Sequence, residues 1–290
     1  DRLGASCAEA ESLAATLPRN SPADLYWRAT RAGLQLGKGL SDGVKLGFDT
    51  GFDSGSTLDY VYRNQATGKG KLGRMIDRNY LDAIGWKGIR QRKLHVEELL
   101  RLAIERLREQ GAPVHIVDIA AGHGRYILEA LQGLEQRPDS ILLRDYSELN
   151  VREGTALIEH KGLADIARFV QGDAFDAQSL ATLEPRPSLA VVSGLYELFA
   201  SNQMVGDSLG GLAQAVAPGG YLVYTGQPWH PQLELIARAL TSHRAGQAWV
   251  MRRRSQVEMD QLVEAAGFRK VCQRIDEWGI FSVSLAQRIA

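Results

Sequence analysis

The chain has 290 residues, enough for one large core or for one core and a smaller accessory domain. Lysine plus arginine balances aspartate plus glutamate at 34 each, so no net field steers the protein toward nucleic acid, and a small-molecule substrate is the expected partner. Cys7 and Cys272 are too few and too far apart for a disulfide scaffold or a zinc cluster, no apolar run reaches membrane-spanning length and no signal peptide is visible, so a cytoplasmic, metal-free protein is expected.

Residues 1–92 read as an N-terminal, mainly helical cap. Helical patterns over 8–17 and 23–36 lead into a glycine-rich, aromatic and basic tract that runs through Gly47, Phe48, Arg74, Arg78, Tyr80, Trp86 and Arg92. Within it, Tyr60, Tyr62, Arg63 and Arg90 are the substrate-binding candidates, although aromatic side chains in a core and an arginine on the surface would give the same pattern. The arginines, with Arg252, Arg253 and Arg254 later, suit an anion-receiving patch, and the amphipathic run 25–36 suits peripheral contact with a lipid surface.

From residue 93 the pattern changes to alternating strands and helices. A leucine-rich helix over 94–110 stops at Gly111-Ala112-Pro113 and feeds a buried strand at 116–119. That strand carries Asp118 and turns through Ala120, Gly122, His123 and Gly124 into a helix from Arg125. The loop suits either a dinucleotide or a cationic nucleotide. A dinucleotide fold wants a third glycine for close helix packing, and that position is Ile127. A carboxylate at the strand end instead suits the ammonium and sulfonium of S-adenosylmethionine.

The next two strands end in acids as well. The run 140–146 closes on Asp145, about 20 residues past the loop, where an acid can accept ribose hydroxyls, and on Tyr146, placed for adenine. The strand 167–171 leads into Asp173, Ala174 and Phe175, an acid for the exocyclic amine and an apolar wall. A fourth strand at 189–193 ends on Ser193, and a fifth at 221–225 follows the Pro218-Gly219-Gly220 turn. Helices over 149–160, 177–183, 207–216, 233–242 and 256–266, then a closing antiparallel hairpin over 270–286, complete the pattern.

The region 93–290 resembles the class I S-adenosylmethionine-dependent methyltransferases. More narrowly, the tracts G-F-D-S-G-S-T-L-D-Y-V-Y-R-N, Y-L-D-A-I-G-W-K-G-I-R-Q-R-K, D-I-A-A-G-H-G-R-Y and T-G-Q-P-W-H-P-Q-L-E are similar to a bacterial methyltransferase family sometimes fused behind an α/β-hydrolase domain. The resemblance implies a Rossmann-like core: a seven-stranded, mostly parallel sheet with an antiparallel last strand and helices on both faces. It implies S-adenosylmethionine as cofactor and a hydrolase domain as neighbour or fusion partner, and it hints at a lipid-related or anionic acceptor. One departure is Ala120, which stands where the first loop glycine usually lies.

Methyl transfer is an in-line displacement, so the protein mainly aligns the nucleophile and removes its proton. The catalytic candidates follow the fourth and fifth strands: Tyr196 and Glu197 to hydrogen-bond the acceptor and His230 as general base, with Trp229 a further substrate-binding candidate. A solvated carboxylate and a packing histidine are the plainer readings of the same positions. A nucleic-acid methyltransferase and a non-catalytic cofactor-sensing or lipid-surface module are the competing functions.

Overall fold

The computed structural model describes residues 5–289. They fall into two compact units: the chain up to Arg90 together with His230–Arg253, and Gln91–Trp229 together with the chain from Arg254. The 93–290 assignment differs from this in one respect, because the stretch after Trp229 leaves the sheet-bearing unit and rejoins it at Arg254. The reason lies in its helix, α11 (Leu233–Ala239), which buries Ile236, Ala237 and Ala239 and packs on helices of the first unit.

The first unit holds α1 (Ala5–Ala14), α2 (Pro22–Gly37), α3 (Asp42–Thr50), α4 (Gly55–Arg63), α5 (Gly70–Leu81), the start of α6 (Ile84–Glu109), and α11. The glycines that make its sequence look loop-like are helical. Gly43 and Gly47 lie in α3 where rings press on the backbone: a Cβ would fall 2.6 Å from Tyr80 at the first and 2.3 Å from Phe52 at the second. Serine caps start the helices, with Ser41 Oγ accepting the Val44 N–H at 3.1 Å and Ser54 Oγ that of Thr57 at 3.1 Å.

Asp77 knits this unit together. Its carboxylate is buried and accepts from Ser41 Oγ at 2.5 Å, Gly43 N at 2.9 Å, Thr67 N at 3.0 Å, Gly68 N at 3.1 Å and the Tyr60 hydroxyl. Burial pushes the carboxyl up, but the bonds from Ser41, Tyr60, Gly43 and Thr67 outweigh it and hold Asp77 below its ordinary range.

The second unit is built on one seven-stranded sheet of order β3-β2-β1-β4-β5-β7-β6. Its strands are β1 (His115–Asp118), β2 (Ser140–Asp145), β3 (Ala167–Gln171), β4 (Leu189–Val192), β5 (Tyr221–Gly226), β6 (Phe268–Ile275) and β7 (Ser282–Arg288). Pairing is parallel from β1 to β5, and β7 runs antiparallel to both β5 and β6. Every residue of β4 and β5 is buried, as expected of central strands covered on both faces, whereas the edge strand β3 is half exposed. The other edge, β6, carries a bulge between Lys270 and Cys272. The intervening helices are α7 (Arg125–Ala130), α8 (Glu148–His160), α9 (Ala177–Ala181), α10 (Asn202–Ala215) and α12 (Gln256–Ala265).

Two helices begin earlier than their periodicity suggests. Helix α6 starts at Ile84 instead of 94, because Gly85, Gly88 and the basic run 87–93 blur its apolar stripe. Helix α10 starts at Asn202 instead of 207, because Ser201 caps it by accepting the Met204 N–H at 3.3 Å.

Candidate cofactor-binding site

The strand order reverses at β1, between β2 and β4, and the crevice at the carboxyl ends of the strands is where open α/β sheets take ligands. The register puts acids along this edge: Asp118 pairs with Leu143 on β2, Asp145 with Gln171 on β3, and Asp173 follows Gln171 by two.

The loop after β1 is held by β2. Asp145 Oδ2 accepts the Gly122 N–H at 2.9 Å, and Oδ1 accepts the Ser147 N–H at 2.9 Å and Asn150 Nδ2 at 3.0 Å. Ala121 donates to the Arg144 carbonyl at 2.9 Å. Gly122 and Gly124 sit in the left-handed region, at φ 58° and 75°, and a Cβ on Gly124 would fall 2.3 Å from Leu143 Cδ1, so glycine is needed there for shape and for space. Ala120 keeps a negative φ, which is why alanine serves where a glycine was expected. Gly154 of α8 would place a Cβ 3.2 Å from the His123 carbonyl and 2.2 Å from Phe169, so this helix too closes tightly on the loop.

Asp118 is fully buried. Its Oδ1 accepts the Ala120 N–H at 3.1 Å, while Oδ2 is buried and accepts no well-formed hydrogen bond. Burial pushes the carboxyl up to about 7, the Tyr126 hydroxyl and the Ala120 N–H pull it down, and the charge of Asp145 adds to the rise. A ligand cation at this strand end would supply the missing partner and ionise the group.

Past β3, Asp173 is exposed and its Oδ1 accepts the Phe175 N–H at 2.8 Å, fixing the turn that carries Ala174 and Phe175. The Phe175 ring meets Phe199 at 4.5 Å between centroids. Tyr146 is exposed at 76%, leaving an aromatic face free beside β2. Arg144 lies under the same turn. It is buried, its Nη2 donates to Ser179 Oγ at 2.8 Å, and its guanidinium fills the space a Cβ on Gly172 would need, with Nη2 2.4 Å away. A charged residue inside the apolar run S-I-L-L-R-D-Y is the signal that marks Arg144 in the sequence.

The residues after β4 divide in role. Ser193 is half-buried at the strand end. Tyr196 is buried in the core, its hydroxyl meets Ser208 Oγ at 2.9 Å, and burial raises its pKa. Glu197 is buried and paired with Arg92 at 3.2 Å. Arg254 clamps the same stretch, donating to the Tyr196 carbonyl at 2.7 Å, to Phe199 O at 2.7 Å and to Ala200 O at 3.1 Å. Arg252 donates to Ser6 Oγ at 3.1 Å and Arg253 to Glu9 at 2.5 Å. Each of these last three arginines of the expected anion-receiving set thus bonds to the chain's own carbonyls, hydroxyl or carboxylate.

Of the other sequence candidates, Trp229 is 46% exposed at the last position before the second unit is interrupted. His230, Tyr60, Tyr62, Arg63 and Arg90 belong to the first unit. His230 is buried, its Nδ1 accepts the Gln232 N–H at 3.1 Å and its Nε2 lies 2.9 Å from the Cβ position of Gly85. The Tyr60 hydroxyl is committed to Asp77. Tyr62 is half-buried, Arg63 is exposed and bridges to Asp59 at 3.1 Å, and Arg90 donates to the Leu81 carbonyl at 2.9 Å.

A doubly wound sheet with one reversed strand, whose β1 ends in an acid and turns through glycines at the switch point, is the class I methyltransferase fold. Residues 1–288 match the family described as "Putative methyltransferase", and the chain belongs to that family. It is 58% identical over 268 residues to the uncharacterized protein YnbC of Escherichia coli K12, covering 92% of this chain and 46% of that protein, so it spans about half the length of this curated relative. Among solved structures, a possible exported protein from Bordetella parapertussis covers 94% of this chain and all of its own at TM-score 0.59 and 17% identity. Magnesium protoporphyrin IX methyltransferase from Synechocystis, solved with bound S-adenosylhomocysteine, covers 83% of this chain and 98% of its own at TM-score 0.53 and 13% identity. At those identities the structures share the fold. No described helix is long and apolar enough to cross a membrane.

Proposed function

We propose that the protein binds S-adenosylmethionine at the carboxyl edge of β1, β2 and β3 and transfers its methyl group to a small-molecule acceptor. The observation that carries this is Asp118, a buried carboxyl with an unsatisfied oxygen beside a glycine loop that is held open by Asp145. The cofactor, when bound, supplies a methyl group already activated on a sulfonium sulfur. The chain's own residues do the rest: Asp118 offers a carboxylate to the cationic end, the glycine backbone permits close approach, Asp145 fixes the loop, and Tyr146, Ala174 and Phe175 offer apolar walls for adenine. Because the chemical step needs little more than alignment, fixed loops matter more here than a strong base. A small-molecule acceptor is also what the protoporphyrin methyltransferase of the same fold acts on. Titration of the intact chain with S-adenosylmethionine in a calorimeter tests the reading, with binding that Asp118→Asn and Asp145→Ala each weaken at least tenfold; no binding, or binding that neither variant alters, would sink it.

A further inference from the structure

Two buried donors at the carboxyl ends of β4 and β5 are unspent. Arg92 of α6 is 3% exposed and gives Nη1 to Glu197 at 3.2 Å, while its Nε has no partner. Gln227, one residue past β5, is 3% exposed, and its Nε2 has no partner either.

The fold brings the two together. The Arg92 guanidinium carbon sits 4.7 Å from the centroid of the Phe281 ring, and its Nη2 lies 2.8 Å from the Cβ position of Gly194, just past β4. Gly226 pairs with Ser282 across the β5–β7 ladder, so Phe281 and Gln227 are the next facing residues beyond the last pair. The β4 end is tied to β5 in turn, with Gly194 N–H donating to Thr225 Oγ1 at 2.8 Å. Within the second unit, Gln91 of α6 is tied to the β6–β7 turn, its Oε1 accepting the Glu277 N–H at 3.1 Å. Arg92 and Gln227 thus lie at the same edge of the sheet, beyond the carboxyl ends of β4 and β5.

Buried polar groups in folded proteins are almost always paired, and a buried pair of N–H donors left over is costly unless something else accepts from them. Both spare groups are donors: a guanidinium has no acceptor atom, and the unsatisfied atom of Gln227 is its amide nitrogen. A ligand oxygen would be held, and a carboxylate best, because an arginine fork matches its two oxygens.

We propose that Arg92 and Gln227 form a carboxylate-receiving site at the β4–β5 edge, with Glu197 as the residue that holds Arg92 in place. The choice of ligand rests on the methyl-transfer reading. A carboxylate can come from the amino-acid end of the cofactor or from the acceptor, and the two are separable.

The variants are Gln227→Leu, which removes an unpaired donor and should melt at or above the wild-type temperature, and Arg92→Lys, which keeps the charge facing Glu197. Each is titrated with S-adenosylhomocysteine, with 5′-methylthioadenosine, which lacks the amino-acid end, and with benzoate, added both to free and to S-adenosylhomocysteine-saturated protein. A loss of roughly tenfold or more for S-adenosylhomocysteine, with methylthioadenosine unchanged, assigns the site to the cofactor. Unchanged S-adenosylhomocysteine with a similar loss of benzoate binding assigns it to the acceptor. Variants that bind all three probes as the wild type does, equal weakening of methylthioadenosine, or a wild type that takes benzoate nowhere while S-adenosylhomocysteine is unaffected would each overturn the proposal. Failure of the wild type to bind S-adenosylhomocysteine at all strikes the methyl-transfer reading instead, and the benzoate arm on free protein still decides the carboxylate site.

Discussion

Asp77 in the first unit and Asp118 in the second are both fully buried aspartates, and they are opposites. Asp77 accepts five hydrogen bonds and its carboxyl is held low; Asp118 keeps one oxygen unsatisfied and is pushed up to about 7. The first is a finished structural joint, which ties the start of α3 and the Thr67-Gly68 turn before α5 to Tyr60. The second has one well-formed hydrogen bond within the chain, and in the proposed function a bound ligand completes it. Burial alone therefore does not separate a structural acid from a binding one; the count of donors does.

The largest effect that sharpens this contrast is Asp77→Asn, which sets an amide N–H₂ against backbone donors and should cost roughly 3–5 kcal/mol in urea unfolding at pH 7. A loss below about 1 kcal/mol would mean that the joint is not what holds the first unit. Asp118→Asn should act the other way on the ligand-free chain. It removes a desolvated charge and raises the melting temperature at pH 8, while weakening S-adenosylmethionine by roughly 100-fold, about 2.7 kcal/mol. Gly124→Ala meets both Leu143 and a positive φ, and about 2 kcal/mol of lost stability is expected, with the loop opened as well. Asp145→Ala frees the Gly122 N–H and should cost about 1–2 kcal/mol, visible as faster amide exchange at Gly122.

The two acids also differ in the sign of their pH dependence. Asp77, lowered when folded, contributes stability that is present above its unfolded pKa near 4 and is lost as pH falls through the lower folded value. Asp118, raised when folded, contributes stability that is fully present below about 4 and is lost as pH rises to about 7. Urea midpoints of the two asparagine variants against pH should show the acid limb shrink in one and the neutral limb shrink in the other.

Much of this was legible in the sequence. The strands that position the site are short runs ending in acids or glycines, and β3 falls where its pattern placed it, at 167–171 between turn residues. Asp118, Asp145 and Asp173 stood out for the same reason. What the pattern hid were partnerships made across long sequence separations. Arg92 with Glu197 spans 105 positions. The helices over 42–63 were masked by Gly43 and Gly47, which periodicity reads as breakers and the fold uses as seats for Tyr80 and Phe52. The arginine triplet at 252–254 shows the converse: in a run of charge that reads as a surface patch, Arg252 and Arg254 are buried and each of the three bonds to a group of the chain itself.

The most direct test is calorimetric binding of S-adenosylmethionine at pH 6 and pH 8 in two buffers of different ionisation heat, wild type against Asp118→Asn. The expected result is release of about one proton per bound ligand at pH 6, little release at pH 8, and none from the variant at either pH, because ligand binding ionises a carboxyl that burial keeps protonated to about pH 7. Binding with no proton release, at an affinity that Asp118→Asn leaves intact, would contradict the assignment of Asp118 as the acid that meets the cofactor's charge.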